Sequence, residues 1–156
     1  MTPMPPKDSS SLSLGPLSGV MGYHIAQAAV TTFGTFERHV GKPFGLRKVE
    51  FSLLMLLLAN GPLSPKRLAQ TLTLTGPNLT LLLDRLQERG LLDRERNPAD
   101  GRSQNIVLTE KGRRIAQDTA AAAVPMESEL LDRLSRAEHA MLIELLCKLA
   151  GRRTPL

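Results

Sequence analysis

The chain has 156 residues, 42% hydrophobic and 22% charged, enough for one domain with a sizeable core. Its single cysteine excludes an internal disulfide, and its most apolar run, Leu53 to Ala59, is far shorter than the roughly 20 residues a membrane span needs. A formal net charge of +5 favours a polyanionic partner; with aromatics at 3% and no Trp, the stacking platforms of single-strand readers are missing, and duplex DNA is the better match.

In chain order, residues 1–15 read as a disordered tail: Met1 to Ser13 is rich in Pro and Ser and has no apolar period. The absence there of a basic-then-apolar signal, together with the unpaired thiol, predicts a reducing cytoplasm. From Leu17 to Val40 apolar residues recur at helical spacing (Met21, Ile25, Ala28, Ala29, Thr32, Phe36, Val40), which predicts a long first helix with a buried stripe, stopped by Gly41-Lys42-Pro43. A second helix, Arg47 to Ala59, is apolar nearly all round and belongs in the core. Ser64-Pro65 supplies an N-cap and first-turn proline for a short third helix to Gln70 or Thr71. Thr75-Gly76-Pro77 opens a fourth to Arg89, burying Leu79, Leu82, Leu83 and Leu86 and leaving its other face free.

Two short helices across a tight polar turn form a helix-turn-helix. Leu91 to Arg96 and Asn105 to Leu108 then predict two strands around an extended loop, NPADGRSQ, which makes a wing. Thr109 caps a fifth helix that Pro125 should kink or divide, and Ser135 with Glu138 forms a capping box for a last helix ending near Leu149. Ten of the 20 basic residues lie between Lys66 and Arg114, with only six acids (Asp84, Glu88, Asp93, Glu95, Asp100, Glu110), so the positive excess sits on this segment.

The stretch Leu81 to Gly112 resembles the MarR family of bacterial regulators through Asp84-Arg85-Leu86, the Gly90-Leu91 lead-in to the wing, Asp100-Gly101-Arg102 at its tip and the Leu108 to Gly112 exit. The resemblance implies a mainly α fold with a small β-hairpin wing, a winged helix-turn-helix. It further implies a single domain over 16–150, with dimerisation helices at 16–45 and 110–150, a DNA-binding lobe at 46–109 and a short tail at 151–156. It implies a homodimeric repressor, a recognition helix in each of two successive major grooves, and release by a phenolic or aromatic carboxylate bound between the two regions. No cofactor and no membrane partner are expected.

For DNA, the candidates at the start or free face of the recognition helix are Gly76, Pro77, Asn78, Thr80 and Leu81, the last standing where many relatives carry a polar residue and able to touch a thymine methyl. Thr75 reads as a plain cap. Arg85 either meets DNA or pairs with nearby acids. Arg102 suits a narrow minor groove, with Asp100 orienting it, while Arg94 and Arg96 suit phosphate contacts. Family geometry points to Arg38, His39, Arg47 and Phe51 for an anionic effector. The three histidines are dispersed, and nothing resembles a metal or catalytic motif. Cys147, among leucines, reads as a small buried hydrophobe, with a redox switch as the alternative. A winged helix used only for protein interaction would have no need of Arg102.

Overall fold

The computed structural model describes residues 12–152; of the predicted tails at 1–15 and 151–156, residues 1–11 and 153–156 lie outside the described residues. Two compact units divide the chain, Met1–Phe33 and Gly34–Leu156. In the first, a 3₁₀ turn at Gly15–Gly19 leads into α1 (Met21–Phe36), and His24 Nε2 meets the Ser18 carbonyl at 2.9 Å. The stripe expected to be buried is covered only at its end: Phe36 and Val40 are buried, whereas Met21, Ile25, Ala28 and Thr32 are exposed in the single chain.

Helical structure also continues past Gly41-Lys42-Pro43, where a stop was expected. Glu37–Gly41 forms a wide π turn, with the Lys42 N–H reaching the Glu37 carbonyl, and α2 (Lys42–Phe44) follows. Pro43 falls in the first turn of that new segment, where its missing N–H costs least. Gly45, left-handed at φ 61°, ends it instead.

The core of the second unit follows the apolar spacing. Leu53, Leu54 and Leu57 of α3 (Lys48–Asn60) are buried. Beside them lie Leu68 of α4 (Pro65–Leu72) and Leu79, Leu82, Leu83 and Leu86 of α5 (Gly76–Glu88). Ser64 Oγ caps α4 by accepting the Arg67 N–H at 3.3 Å. Thr73 takes the left-handed conformation, φ 56°, that turns the chain between α4 and α5.

The wing is longer and tighter than the spacing predicted. Strands β1 (Leu92–Asn97) and β2 (Asp100–Leu108) pair antiparallel from Leu92 against Leu108 to Arg96 against Gln104, then slip so that Asn97 faces Asp100. Only Pro98 and Ala99 remain as turn, and residues 101–103 bulge from the tip. Side chains stand in for the missing ladder: Asn97 Oδ1 accepts the Ala99 N–H at 3.0 Å, and Ser103 Oγ donates to the Asp100 carbonyl at 3.1 Å. Leu63 adds a third, one-residue bridge to Ile106 that no apolar alternation announces.

Thr109 joins the wing to α6 (Glu110–Leu131): its hydroxyl donates to the Gly90 carbonyl at 2.6 Å and accepts the Gly112 N–H at 2.9 Å. Of the two outcomes expected at Pro125, division does not occur, and α6 runs through it as one helix. One lost donor is absorbed by a 22-residue helix primed by the preceding alanines. The capping box of α7 (Arg136–Leu149) forms as predicted, with the Ser135 N–H on Glu138 Oε2 at 2.8 Å and the Glu138 N–H on Ser135 Oγ at 3.3 Å. These bonds, the backbone one first, hold the Glu138 carboxyl below the ordinary glutamate range. Met141, Leu142, Leu145, Leu146 and Leu149 of α7 are all exposed. No helix among the described residues is long and apolar enough to cross a membrane.

Candidate nucleic-acid interface

The outward face of α5 begins at a cap without a side-chain bond. Thr75 has N-cap backbone angles, but its hydroxyl accepts nothing from the first turn, so the plain-cap reading does not describe it. First-turn N–H groups are therefore open to an anion. Gly76, Pro77, Asn78, Thr80 and Leu81 are all exposed, Leu81 at 64%. Thr80 Oγ1 donates back to the Gly76 carbonyl at 3.1 Å, which leaves its lone pairs and methyl outward.

The three residues Asp84, Arg85 and Leu86 tie α5 to three different neighbours. Leu86 is fully buried in the core. Asp84 Oδ1 accepts from Arg94 Nη2 at 2.6 Å, and Arg94 also reaches Gln87 Oε1, so the base of the wing is locked to the recognition helix. Arg85 Nη1 donates to Glu50 Oε1 at 3.2 Å, turning it toward α3 rather than to Asp84 or Glu88. The geometry thus commits Arg85 and Arg94 to holding the interface elements together.

Glu50 was not singled out by sequence reasoning. It is 1% exposed, and its carboxylate gathers the Arg47 N–H at 2.7 Å, Arg85, and Arg89 Nη1 at 3.8 Å. Arg89 in turn donates to the carbonyls of Gly45 at 2.8 Å and Phe44 at 3.2 Å. An acid on a helix this apolar was the available signal, since a charge is buried there only if it is paired.

At the wing tip, Arg102 and Arg96 are exposed, and no ion pair engages either among the described residues. Asp100 does not aim the Arg102 guanidinium, as had been expected: its Oδ1 accepts the Arg102 backbone N–H at 3.1 Å. The carboxylate shapes the bulge, and the arginine side chain extends from it.

The effector candidates fall into separate places. His39 Nε2 lies 2.9 Å from Glu129 Oε2, and Arg38 pairs with the same carboxylate. Hydrogen bonding from His39 first, then from Arg38, holds the Glu129 carboxyl below the ordinary glutamate range. Arg47 and Lys48 instead line an open cleft of about 450 Å³ with Glu37, Gly45, Leu46 and Val49. Phe51 packs edge-on against Phe36, ring centroids 5.7 Å apart. Cys147 is half-buried rather than buried, because the apolar face of α7 is uncovered in the single chain. No metal-type cluster occurs among the described residues.

These features match those of known regulators. The MarR family pattern matches residues 44–103. The transcriptional repressor CouR, solved on a 23-mer DNA duplex, is 34% identical, with 90% of this chain and 99% of that chain covered and a TM-score of 0.82. CouR bound to p-coumaroyl-CoA is 33% identical over 90% of this chain and 98% of that chain, TM-score 0.78. A protein of Thauera aromatica assigned to regulation of the hcr operon is 26% identical over 142 residues, 91% of this chain and 86% of that protein. These relatives regulate transcription rather than catalyse reactions. With its helix-turn-helix, hairpin wing and this likeness, the chain belongs to the MarR family of winged-helix, DNA-binding transcriptional regulators.

Proposed function

We propose that the chain is a homodimeric repressor that holds a pseudo-palindromic operator and releases it when a small organic anion binds. The observation carrying this reading is the open face Gly76 to Leu81 locked, through Arg94 and Asp84, to a wing whose exposed tip carries Arg102. Residues 46–109 read DNA in this account, and residues 16–45 and 110–150 supply the dimer. The exposed apolar residues of α7 support the pairing, since such a surface calls for a cover. Sedimentation at micromolar concentration should give a dimer. Footprints on duplexes selected from a random pool should show two half-sites centred about 34–36 Å apart. A monomer, or a footprint without two-fold symmetry, would count against the reading.

In this docking Asn78, Thr80 and Leu81 meet base edges, Gly76 and Pro77 approach the backbone, Arg96 meets phosphate and Arg102 enters the minor groove. Arg102→Ala should flatten the salt dependence of binding, lowering the log–log slope by about 0.9 for each phosphate equivalent lost. Because Asp100 holds only the backbone of the bulge, Asp100→Ala should weaken binding less, and the double variant should be no worse than Arg102→Ala. Isotherms at four salt concentrations decide this. A wild-type slope in Arg102→Ala would remove the wing from the interface.

For the effector, the likeness to CouR, solved with p-coumaroyl-CoA, supports an aromatic acid, free or as its CoA thioester. Arg47 with Phe51, and Arg38 with His39, are the proposed contacts. Glu129 already occupies the latter pair, so a carboxylate ligand reaching them must displace it. The sign with pH follows from the lowered carboxyl: the contact is present above the ordinary glutamate range and is lost as pH falls through the lowered value. At neutral pH, Glu129→Gln should sharpen release of DNA by p-coumarate by up to about 5-fold, read by titration of a preformed complex. An unchanged midpoint would place the anion elsewhere.

A further inference from the structure

The C-terminal end of α7 arrives at the turn of the helix-turn-helix, and it arrives with a positive charge. Gly151, at φ 65°, turns the chain out of the helix, and the Arg152 N–H closes back on the Cys147 carbonyl at 2.8 Å while the Gly151 N–H meets that of Lys148 at 3.0 Å. This double closure is a helix-ending motif that fixes where the Arg152 backbone sits. From there the guanidinium spans back 79 positions in sequence, and Nη2 donates to Thr73 Oγ1 at 2.6 Å.

Thr73 is the left-handed residue that separates α4 from α5, two residues before the N-cap of the recognition helix. It also lines an open cleft of about 460 Å³ with Lys66, Ala69, Gln70, Leu74 and Thr75. No carboxylate lines this cleft, and no ion pair engages Lys66 or Arg152 among the described residues. Of the five N–H donors of the guanidinium, the bond to Thr73 uses one. Two cations therefore stand with spare donors at the turn that precedes α5.

We propose that Arg152 is a DNA-backbone contact, a third basic element beside the recognition helix and the wing, with Thr73 holding its guanidinium toward a phosphate that passes the turn. The occupant is duplex DNA because the site adjoins the open start of α5 and carries cations without acids. The contact rests on the docking of α5 described above. It adds affinity without reading sequence, since phosphates are the same at every step.

A mixed-sequence 40-bp duplex tests this with the full chain, because no operator is needed to count phosphate contacts. A dimer losing both Arg152 contacts should show a log–log salt slope lower by about 1.8, so that raising salt from 50 to 200 mM penalises the native protein about 12-fold more than Arg152→Ala. Arg152→Lys should retain the slope, and an unchanged melting temperature in both variants shows that the fold is intact. Arg152→Ala with the native slope overturns the contact. Thr73→Val, which keeps the arginine but removes the oxygen that holds it, should lower the slope by no more than Arg152→Ala does, and a larger loss would mean that the turn rather than the arginine carries the effect. If Arg102→Ala flattens the slope and Arg152→Ala does not, only the Arg152 contact fails; if the native protein shows no salt-dependent binding, the docking itself fails with it.

Discussion

Gly112→Ala should be the most damaging single-methyl change in the described chain, lowering stability by about 3 kcal/mol, the upper end of the usual range for overpacking. A Cβ at this position would lie 1.7 Å from the Leu91 carbonyl oxygen and 2.7 Å from its carbon. Both obstacles are backbone, so no rotamer change relieves them. The carbonyl is also held in place: it accepts the Thr109 N–H at 3.2 Å, and Leu91 itself is 1% exposed. Making room requires the base of the wing to move away from the first turn of α6, which would disturb the Thr109 contact to Gly90 and the Lys111 Nζ bond to the Arg89 carbonyl at 2.8 Å. Thermal unfolding should fall by roughly 6–12 °C for a chain of this length. Gly101→Ala is the control, since nothing lies within 4 Å of its added carbon. Equal melting temperatures for the two variants would mean that the wing and α6 separate more easily than this packing allows.

That glycine also shows what the sequence makes legible. Leu108 to Gly112 is recognisable as a motif before any coordinates, but the motif alone does not say what each letter does: Thr109 caps α6 and grips Gly90, Lys111 holds a carbonyl, and Gly112 allows two backbones to touch. Elements whose cause is local were readable in the same way. The leucines of α5 and the Ser135 and Glu138 box depend on residues within two turns of each other, and they formed as the spacing indicates. What was not readable depends on distant partners. The extra length of the hairpin rests on cross-strand pairing, and the Leu63 bridge on a residue 43 positions away. The direction of Arg85 is set by Glu50, 35 positions earlier, whereas helical spacing offered it only Asp84 and Glu88. Exposure of Met21 and Ile25 in the predicted stripe on α1 has the same origin, because periodicity shows that a face is apolar but not what covers it.

Glu50 carries the second large effect, and one that separates stability from function. Its carboxylate is the meeting point of α3, the backbone at Arg47, Arg85 of the recognition helix and Arg89 just past the end of that helix, and Arg89 extends the connection to the carbonyls that end α2. Removing the acid leaves the Arg47 N–H without its partner and leaves Arg85 and Arg89 with nothing to converge on. Because those arginine side chains are 40% and 36% exposed, water can take up their charges, so the cost should fall below that of stranding a buried ion. Glu50→Ala should therefore cost about 2 kcal/mol in denaturant unfolding, from lost charged hydrogen bonds together with a small cavity. Glu50→Gln keeps the volume and one acceptor and should recover about half of that. The effect on DNA should not track stability alone. With Arg85 freed, α5 remains seated by Leu79, Leu82, Leu83 and Leu86 but loses the polar tie that fixes its rotation about that leucine stripe. Even under conditions where the variant is fully folded, discrimination between a selected duplex and a mixed-sequence one should drop by about tenfold, the equivalent of one misplaced base contact. The salt slope on mixed sequence should hold, because the phosphate contacts of the wing do not pass through Glu50. Folded Glu50→Ala with native discrimination would show that the leucines alone orient the helix, and that the buried carboxylate serves only to satisfy the start of α3.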